Sequence, residues 1–228
     1  MFHIKTIRIH AAVILCAAAV SMFFTTVLPQ NGAAAESDPS RIVARVRKAL
    51  DRLETVSCAF ETEQVWKELE RNQRMTGTIR MNVKGAFRLR LDRPDHLVVI
   101  DGRTIWTYLP KHNQVQISDY VRDDAQFPSP HNIFRRYADE GTAKLIGEEN
   151  INGMPCDVIS LASGGGVSGV TVTVWIDRKM NFPVKAVEET ETGYIVTHLL
   201  SDVRLNEKID DTVFIFEPPK DATIVDMR

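Results

Sequence analysis

The stretch RPDHLVVIDGRTIWTYLPKHNQVQI, residues 93–117, decides the fold of this chain. HLVVI and TIWTYL are apolar segments joined through Asp101-Gly102, a dipeptide typical of a tight β-hairpin, and NQVQIS supplies a third strand. Trp106 and Tyr108 are two positions apart, so they share one face of their strand. The stretch therefore predicts an antiparallel meander that carries large aromatic side chains on one face.

The same two-residue alternation extends over most of the chain and predicts about ten strands in one antiparallel sheet. It is found at residues 56–66, 75–83 and 87–91, and in TAKLIGEENI, MPCDVISLA, VTVTVWID, FPVKAVEE, YIVTHLLSDVRLN and, last, TVFIF. The glycine-rich SGGGVSG, residues 163–169, lacks the strand-to-helix context of a phosphate loop and is predicted to be a hairpin tip. A sheet of this many strands must curl, and its concave apolar face must be covered.

Two helices are available as that cover. In DPSRIVARVRKALDRLETV, residues 38–56, Asp38 is the expected N-cap and Pro39 the first helical residue. One apolar stripe at helical spacing is formed by Ile42, Val43, Val46, Ala49, Leu50 and Leu53. Such a helix covers a core more often than a membrane surface. A second, shorter helix is predicted in PHNIFRRYADE, residues 130–140, ending at Gly141.

Residues 1–35 have the three parts of a secretory signal peptide: Lys5 and Arg8, an apolar segment at residues 11–28, and Ala33-Ala34-Ala35. They predict export to the periplasm and a mature single domain of residues 36–228. An uncleaved anchor is the alternative reading, because the apolar segment approaches the length of a membrane span. A bulky Leu15 before Cys16 argues against lipidation.

Charge and cysteine content narrow the function classes. Without the leader, 26 of the 28 Lys and Arg remain against 30 Asp and Glu. This balance gives no electrostatic reason to expect nucleic acid or an anionic membrane as the main partner. In an oxidising compartment Cys58 and Cys156 form either a disulfide or two buried free thiols, and the absence of a C-x-x-C spacing argues against redox catalysis.

Motifs for catalysis or metal binding are not found. The histidines of the mature chain, His96, His112, His131 and His198, are scattered and fit turns or the surface better than metal ligation. Asp123-Asp124 fits a solvated loop better than a cation site, and no cysteine or serine has a base placed beside it by sequence. We therefore predict a protein that is not an enzyme and that needs no cofactor or metal.

The most prominent feature of the chain is its set of large apolar and aromatic side chains. They are Trp66, Met75, Met81, Phe87, Trp106, Tyr108, Phe127, Ile133, Phe134, Trp175 and Met180. Filling the core is the simplest role for any one of them. A curled sheet can also enclose more volume than its side chains occupy, and barrel-like folds use such space for an apolar ligand.

The segment RPDHLVVIDGRTIWTYLPKHNQVQI resembles the LolA family of periplasmic lipoprotein carriers, in which a proline, an apolar strand, an Asp-Gly turn, a Trp-x-Tyr strand, a proline and a Gln-Val pair follow one another. FETEQVWKELERNQRMTGTIRMNVKGAFRLR, SPHNIF, WIDRKMNFPVKAV and VFIFEPPKDATIV are similar to further segments of that family, in the same order. Two departures stand out: Lys84-Gly85-Ala86 replaces the family's Lys-Arg-Pro, whose arginine is associated with lid opening, and its Phe-x-Gln is stretched to Phe60-x-x-x-Gln64.

The resemblance implies an unclosed antiparallel β-barrel, covered by the N-terminal helix and a short helical lid, whose apolar cavity shields lipoprotein acyl chains between the inner and outer membranes. The implied partners are acylated lipoproteins, an inner-membrane transporter that releases them and an outer-membrane acceptor, with the carrier acting as a monomer. Ile133, Phe134 and Tyr137 are the expected lid residues. The expected cavity residues are Phe60, Trp66, Met75, Ile79, Met81, Phe87, Leu89, Ile100, Trp106 and Tyr108.

Three rival functions stay open. Similar domains occur in periplasmic proteins that restrain proteolysis of an anti-sigma factor, which would make this chain a binding regulator. An apolar cavity contacts acyl chains and not head groups, so a carrier of another lipid is the second rival, and only identification of the cargo separates it from lipoprotein transport. A lipid-modifying enzyme is the third reading, and the sequence offers it no nucleophile and base.

Overall fold

A computed structural model describes residues 38–121, 130–138, 142–162 and 169–228. The signal peptide predicted at residues 1–35, Asp123-Asp124, Phe127 and most of the glycine-rich tip lie outside the described residues.

The predicted N-terminal helix is confirmed as α1 (Pro39–Asp51), with Pro39 in its first turn. A carboxylate oxygen of Asp38 accepts a hydrogen bond from the backbone N–H of Ser40 at 3.0 Å, which satisfies one of the free donors at the helix start. Ile42, Val46 and Leu50 are buried on one face, as their spacing requires.

The sheet runs through nearly the whole described chain. Its strands are β1 (Thr55–Trp66), β2 (Arg71–Asn82), β3 (Arg88–Asp92), β4 (Leu97–Ile100), β5 (Thr104–Leu109), β6 (Gln114–Asp119), β7 (Thr142–Ile151), β8 (Met154–Ala162), β9 (Val170–Asp177), β10 (Phe182–Thr190), β11 (Tyr194–Leu205) and β12 (Thr223–Asp226). Their order is β12-β6-β5-β4-β3-β2-β1-β11-β10-β9-β8-β7. Neighbouring strands are antiparallel except β12, which pairs with β6 in parallel.

Within the described residues, β12 and β7 are the two edges of this sheet, so the barrel is not closed. The long central strands β1, β2 and β11 place Val56, Cys58 and Leu200 among the buried residues of the concave face. Helix α1 packs there against β7 and β10. The predicted fold class, an unclosed antiparallel sheet with helical cover, is confirmed.

The predicted second helix is α2 (Pro130–Ala138). It packs against β8, β9, β10 and β11 and against α1, so it covers the same concave face. Its buried side includes Ile133, Phe134 and Tyr137. None of the helices in the described ranges has the length and apolar character that crossing a bilayer requires.

The last predicted strand, TVFIF, is wrong. Asp211–Phe214 forms a 3-10 turn instead, started by a carboxylate oxygen of Asp210 that accepts from the N–H of Thr212 at 2.9 Å. The turn buries Phe214, whose ring lies 5.1 Å from the Arg88 guanidinium carbon. The strand that does follow, β12, lies further on, after Pro218-Pro219. The sheet of the described chain has twelve strands, where about ten were expected.

Candidate functional site

A cavity of about 470 Å³ opens between the concave face of the sheet and the two helices. This volume is within the range of small-molecule sites. Strands β1, β2, β3 and β11, the end of α1 and the start of α2 supply its wall. The apolar and aromatic side chains of that wall are Leu50, Leu53, Phe60, Met75, Ile79, Met81, Val83, Phe87, Leu89, Leu91, Tyr120 and Leu200.

Strand register explains how these side chains come together. Residues paired directly across antiparallel strands point to the same face. One row therefore joins Val56, Met81 and Leu89, and the next joins Cys58, Ile79 and Leu91. A one-residue slip in β2 would turn its whole apolar set to the opposite face.

Six of the expected cavity residues lie in the wall: Phe60, Met75, Ile79, Met81, Phe87 and Leu89. Ile100 is fully buried and pairs with Leu89, but it belongs to the core beside the cavity and not to the wall. Trp66 is half-buried at the far end of β1, where its ring lies 5.2 Å from that of Tyr194 and carries the Arg71 guanidinium at 5.1 Å.

Trp106 and Tyr108 do not line the cavity, so their expected role is wrong. Both point to the convex face, where each ring centroid lies 6.0 Å from that of Phe216 in the C-terminal segment. The neighbouring Ile105 packs into the core instead. Alternation in β5 places the small Ile105 inside and both large aromatics outside, where the returning C-terminal segment covers them.

The expected lid residues also need correction. Ile133, Phe134 and Tyr137 pack into the core, and the Tyr137 hydroxyl donates to Glu188 Oε2 at 3.1 Å. The face of α2 that meets the cavity carries Pro130, His131, Asn132 and Arg135. Since a helix repeats every 3.6 residues, the apolar stripe that anchors α2 cannot also be its cavity face.

Two arginine bonds join the helices, and the first of them lies at the cavity. Arg135 on α2 donates from Nη2 to the Leu50 carbonyl at 3.3 Å, close to the end of α1. Arg47 on α1 donates from Nη2 to the carbonyl of Ala138, the last residue of α2, at 2.6 Å. Each helix thus binds a carbonyl near the carboxyl end of the other, where the helix dipole favours cations.

Two histidines of the wall are buried, although the sequence predicted them to lie in turns or at the surface. His131 is 7% and His198 5% exposed. Burial lowers the pKa of His198 to about 4, and burial together with the nearby Arg135 lowers the pKa of His131 to about 4. Both rings are therefore neutral near pH 7. His198 Nδ1 lies 3.0 Å from Thr62 Oγ1, a hydrogen bond that satisfies both groups.

The inward position of His198 was readable from its spacing. It is two residues before the buried Leu200, so both face the cavity from β11. The position of His131 depends on how α2 docks, which sequence spacing does not reveal.

Cys58 and Cys156 are both free and buried, so the disulfide alternative is not formed. Strands β11, β10 and β9 lie between β1 and β8, which carry the two thiols. Burial raises the pKa of Cys58 to about 12, and burial together with Asp177 raises the pKa of Cys156 to about 11. Both side chains therefore act as small apolar groups.

Comparison with known families gives a partial match. The family described as predicted periplasmic protein (DUF2092) matches residues 127–228. This description confirms the periplasmic location expected from the leader.

Among characterised sequences, this chain is 22% identical over 217 residues to the outer-membrane lipoprotein carrier protein of Pseudomonas aeruginosa strain UCBPP-PA14, in a match that covers 90% of this chain and 98% of the relative. The resemblance to lipoprotein carriers noted in the sequence is confirmed at this level.

Two solved structures show the same fold. MucB aligns with a TM-score of 0.54 and 19% identity over 82% of this chain and 65% of MucB. An uncharacterised conserved protein from Thermus thermophilus aligns with a TM-score of 0.51 and 16% identity over 82% of this chain and 98% of that protein.

Proposed function

We propose that this protein is a periplasmic carrier that shields the acyl chains of lipoproteins and moves them from the inner to the outer membrane. In this proposal residues 1–35 are the cleaved leader, and residues 36–228 form one lipid-binding domain that acts as a monomer. Its partners are acylated lipoproteins, an inner-membrane transporter that releases them and an outer-membrane acceptor. The carrier name of the Pseudomonas relative supports the choice of cargo.

The cavity is the observation that carries the proposal. The cavity has a volume of about 470 Å³ and is lined by Phe60, Ile79, Met81 and Leu89. Such an apolar wall has no function in a protein that binds no apolar ligand. Each methylene removed from water is worth about 0.8 kcal/mol, so a long acyl chain gains on the order of 10 kcal/mol. The free energy with which a carrier binds the acyl chain has to be close to this value, and the carrier must still release its cargo.

The attachment of α2 supports reversible uptake. Its apolar side, with Ile133 and Phe134, anchors it in the core. The bond from Arg135 to the Leu50 carbonyl of α1 lies at the cavity, and the bond from Arg47 to the Ala138 carbonyl joins α1 to the last residue of α2. Hydrogen bonds of this kind contribute about 1 kcal/mol each, so a cargo chain can displace them without unfolding the sheet. In the proposed cycle the bonds between α2 and α1 open on loading and re-form on release, while the apolar side of α2 stays in the core.

Saturable binding of a fluorescent acyl probe to the purified protein tests the function. Phe87 lines the cavity and stacks on Tyr120 at 5.4 Å between ring centroids, so Phe87→Glu places a charge in the acyl site and should abolish most uptake. Ile215→Glu is the matched control, since Ile215 is 60% exposed and lies outside the cavity. No saturable uptake by the unchanged protein, or equal uptake by both variants, contradicts the proposal.

Cargo identity requires a second measurement. Native mass spectrometry of protein taken directly from the periplasm should show bound lipoprotein. A free lipid would favour the alternative of another lipid carrier. A protein partner without acyl chains would favour the binding regulator, an alternative for which the likeness to MucB supports the fold alone.

A further inference from the structure

We propose that Arg93 recognises an acidic head group, so that the cavity holds an amphiphile with its hydrocarbon among the apolar side chains and a carboxylate or phosphate at Arg93. This inference rests on the proposed acyl-binding function and favours an acidic lipid as the ligand, because the ester- and amide-linked acyl chains of a lipoprotein carry no acidic head group. It assigns a role to a charged residue that an apolar carrier site does not require.

The two ends of the cavity differ in chemistry. Along β1 and β2, the row of Val56 and Met81 lies at one end, near Leu53 and Val83, where the sheet contributes only apolar side chains and the helices add Asp51 and Arg135, the latter bonded to the Leu50 carbonyl. The row of Thr62 and Met75 lies several residues further along the same strands, where the wall carries polar groups. These polar groups are Glu61, Thr62, Gln64, Arg93 and His198.

Arg93 lies at the polar end, and its contacts there leave part of the guanidinium without a strong hydrogen-bond acceptor. Nη1 lies 3.4 Å from the Met75 sulfur, a weak acceptor, and Nη2 pairs with Asp95 at 2.7 Å. Nε is buried and has no hydrogen-bond partner among the described residues. The side chain as a whole is only 17% exposed, whereas Asp95 is 61% exposed. Because a thioether sulfur is a weak acceptor, a carboxylate or phosphate oxygen at Nη1 would replace a weak bond with a charge-assisted one.

The backbone around Arg93 holds this side chain over the cavity. Its N–H donates to the His96 carbonyl at 3.0 Å, which closes the turn after β3. The stem then crosses Gly77 of β2, where a Cβ would lie 3.0 Å from Arg93 Cγ. Glycine at this position therefore leaves the space that the arginine fills.

An anion is the ligand that this arrangement favours. Arginine donates in a planar fork that matches carboxylate and phosphate oxygens, and charge-assisted bonds are about twice as strong as neutral ones. Glu61 in β1 is the wall carboxylate nearest to this end, and it already forms an ion pair with Arg74. His198 and Thr62 are hydrogen-bonded to each other, and both are uncharged near pH 8 because burial lowers the pKa of His198 to about 4. Arg93 is therefore the charged group of this end that has the sign to attract an anion.

Competition binding at about pH 8 tests the inference. A neutral probe, N-phenylnaphthylamine, is displaced by palmitate, by hexadecyl phosphate, by methyl palmitate and by inorganic phosphate alone, with the unchanged protein and with Arg93→Gln. Palmitate or hexadecyl phosphate should displace the probe about tenfold better than methyl palmitate, and Arg93→Gln should remove that preference while retaining ester binding. Arg204→Gln is the matched control, because Arg204 is 65% exposed and outside the cavity wall.

Each outcome separates the two proposals. Equal displacement by acid and ester, or an acid preference that survives Arg93→Gln, overturns the role of Arg93 and leaves the acyl carrier intact. Displacement by no lipid overturns the carrier itself. Probe displacement by inorganic phosphate alone, at the concentration at which hexadecyl phosphate acts, shows an anion site independent of the chain and also overturns the inference. Retained ester binding by Arg93→Gln shows that the variant is folded.

Discussion

The ring of Phe60 lies against Gly77, its direct partner across β1 and β2, so closely that a Cβ on Gly77 would come within 2.7 Å of Phe60 Cε1. The same Cβ would meet the Asp92 carbonyl oxygen at 2.4 Å. Side-chain atoms do not occupy such distances, and the carbonyl belongs to the backbone of β3. Gly77 therefore sets both the spacing of β2 and β3 and the position of an aromatic cavity residue.

Gly77→Ala should destabilise the fold by about 1–3 kcal/mol, because the β3 backbone has to move. It should also weaken acyl-probe binding by displacing Phe60. Urea unfolding and probe titration measure the two effects. Gly147→Ala is the control, since nothing lies within 4 Å of its added Cβ. Equal stability of the two alanine variants would contradict this close packing.

Phe216→Ala should lower stability without changing acyl binding. Phe216 contacts Trp106 and Tyr108 on the convex face, away from the cavity. Loss of a half-buried aromatic contact should cost about 2 kcal/mol in thermal or urea unfolding. Probe affinity that fell in the folded variant would place these aromatics in the binding site after all.

Arg135→Gln should loosen α2. The variant loses the bond to the Leu50 carbonyl, worth about 1 kcal/mol, and hydrogen exchange of the amides in residues 130–138 should rise about fivefold. Arg41→Gln on the exposed side of α1 is the control and should leave this exchange unchanged. Unaltered exchange in Arg135→Gln would show that the arginine does not hold the helix.

Acid should destabilise the protein before its carboxylates titrate. In the folded state the pKa values of His131 and His198 are lowered from 6.5 to about 4, so between these values the unfolded state binds more protons. The stability that depends on neutral rings is complete above pH 6.5 and is lost as the pH falls toward 4. Each histidine should cost about 2 kcal/mol between pH 7 and pH 5.

Urea unfolding of the unchanged protein, of His198→Gln and of His112→Gln at these two pH values measures this effect. The loss on acidification should shrink in His198→Gln, which cannot take up a proton. It should persist in His112→Gln, because His112 is exposed. The same loss in all three proteins would rule out a contribution from His198.

Both thiols should resist modification in the native protein. Cys58 and Cys156 are buried and free, and their raised pKa values keep them protonated. A maleimide should label neither until denaturant is added, and reduction should not change the intact mass. A mass increase on reduction would reveal a disulfide.

The sequence by itself determined the amphipathic helix and the sheet. Apolar residues at 3.6-residue spacing and a start at Asp38-Pro39 specify α1, and two-residue alternation specifies strands whatever their partners are. The inward set of β2, with Met75, Ile79 and Met81, was readable for the same reason.

Only the tertiary structure decided which face each apolar set occupies. Trp106 and Tyr108 alternate like cavity residues, but the C-terminal segment returns across the sheet and covers them through Phe216. The docking of α2 likewise buries Ile133 and Phe134 and turns His131 and Arg135 to the cavity. Periodicity predicts that a side chain will be buried, whereas long-range packing determines what buries it. For Arg93 that packing places a partly buried charge at the end of an apolar cavity.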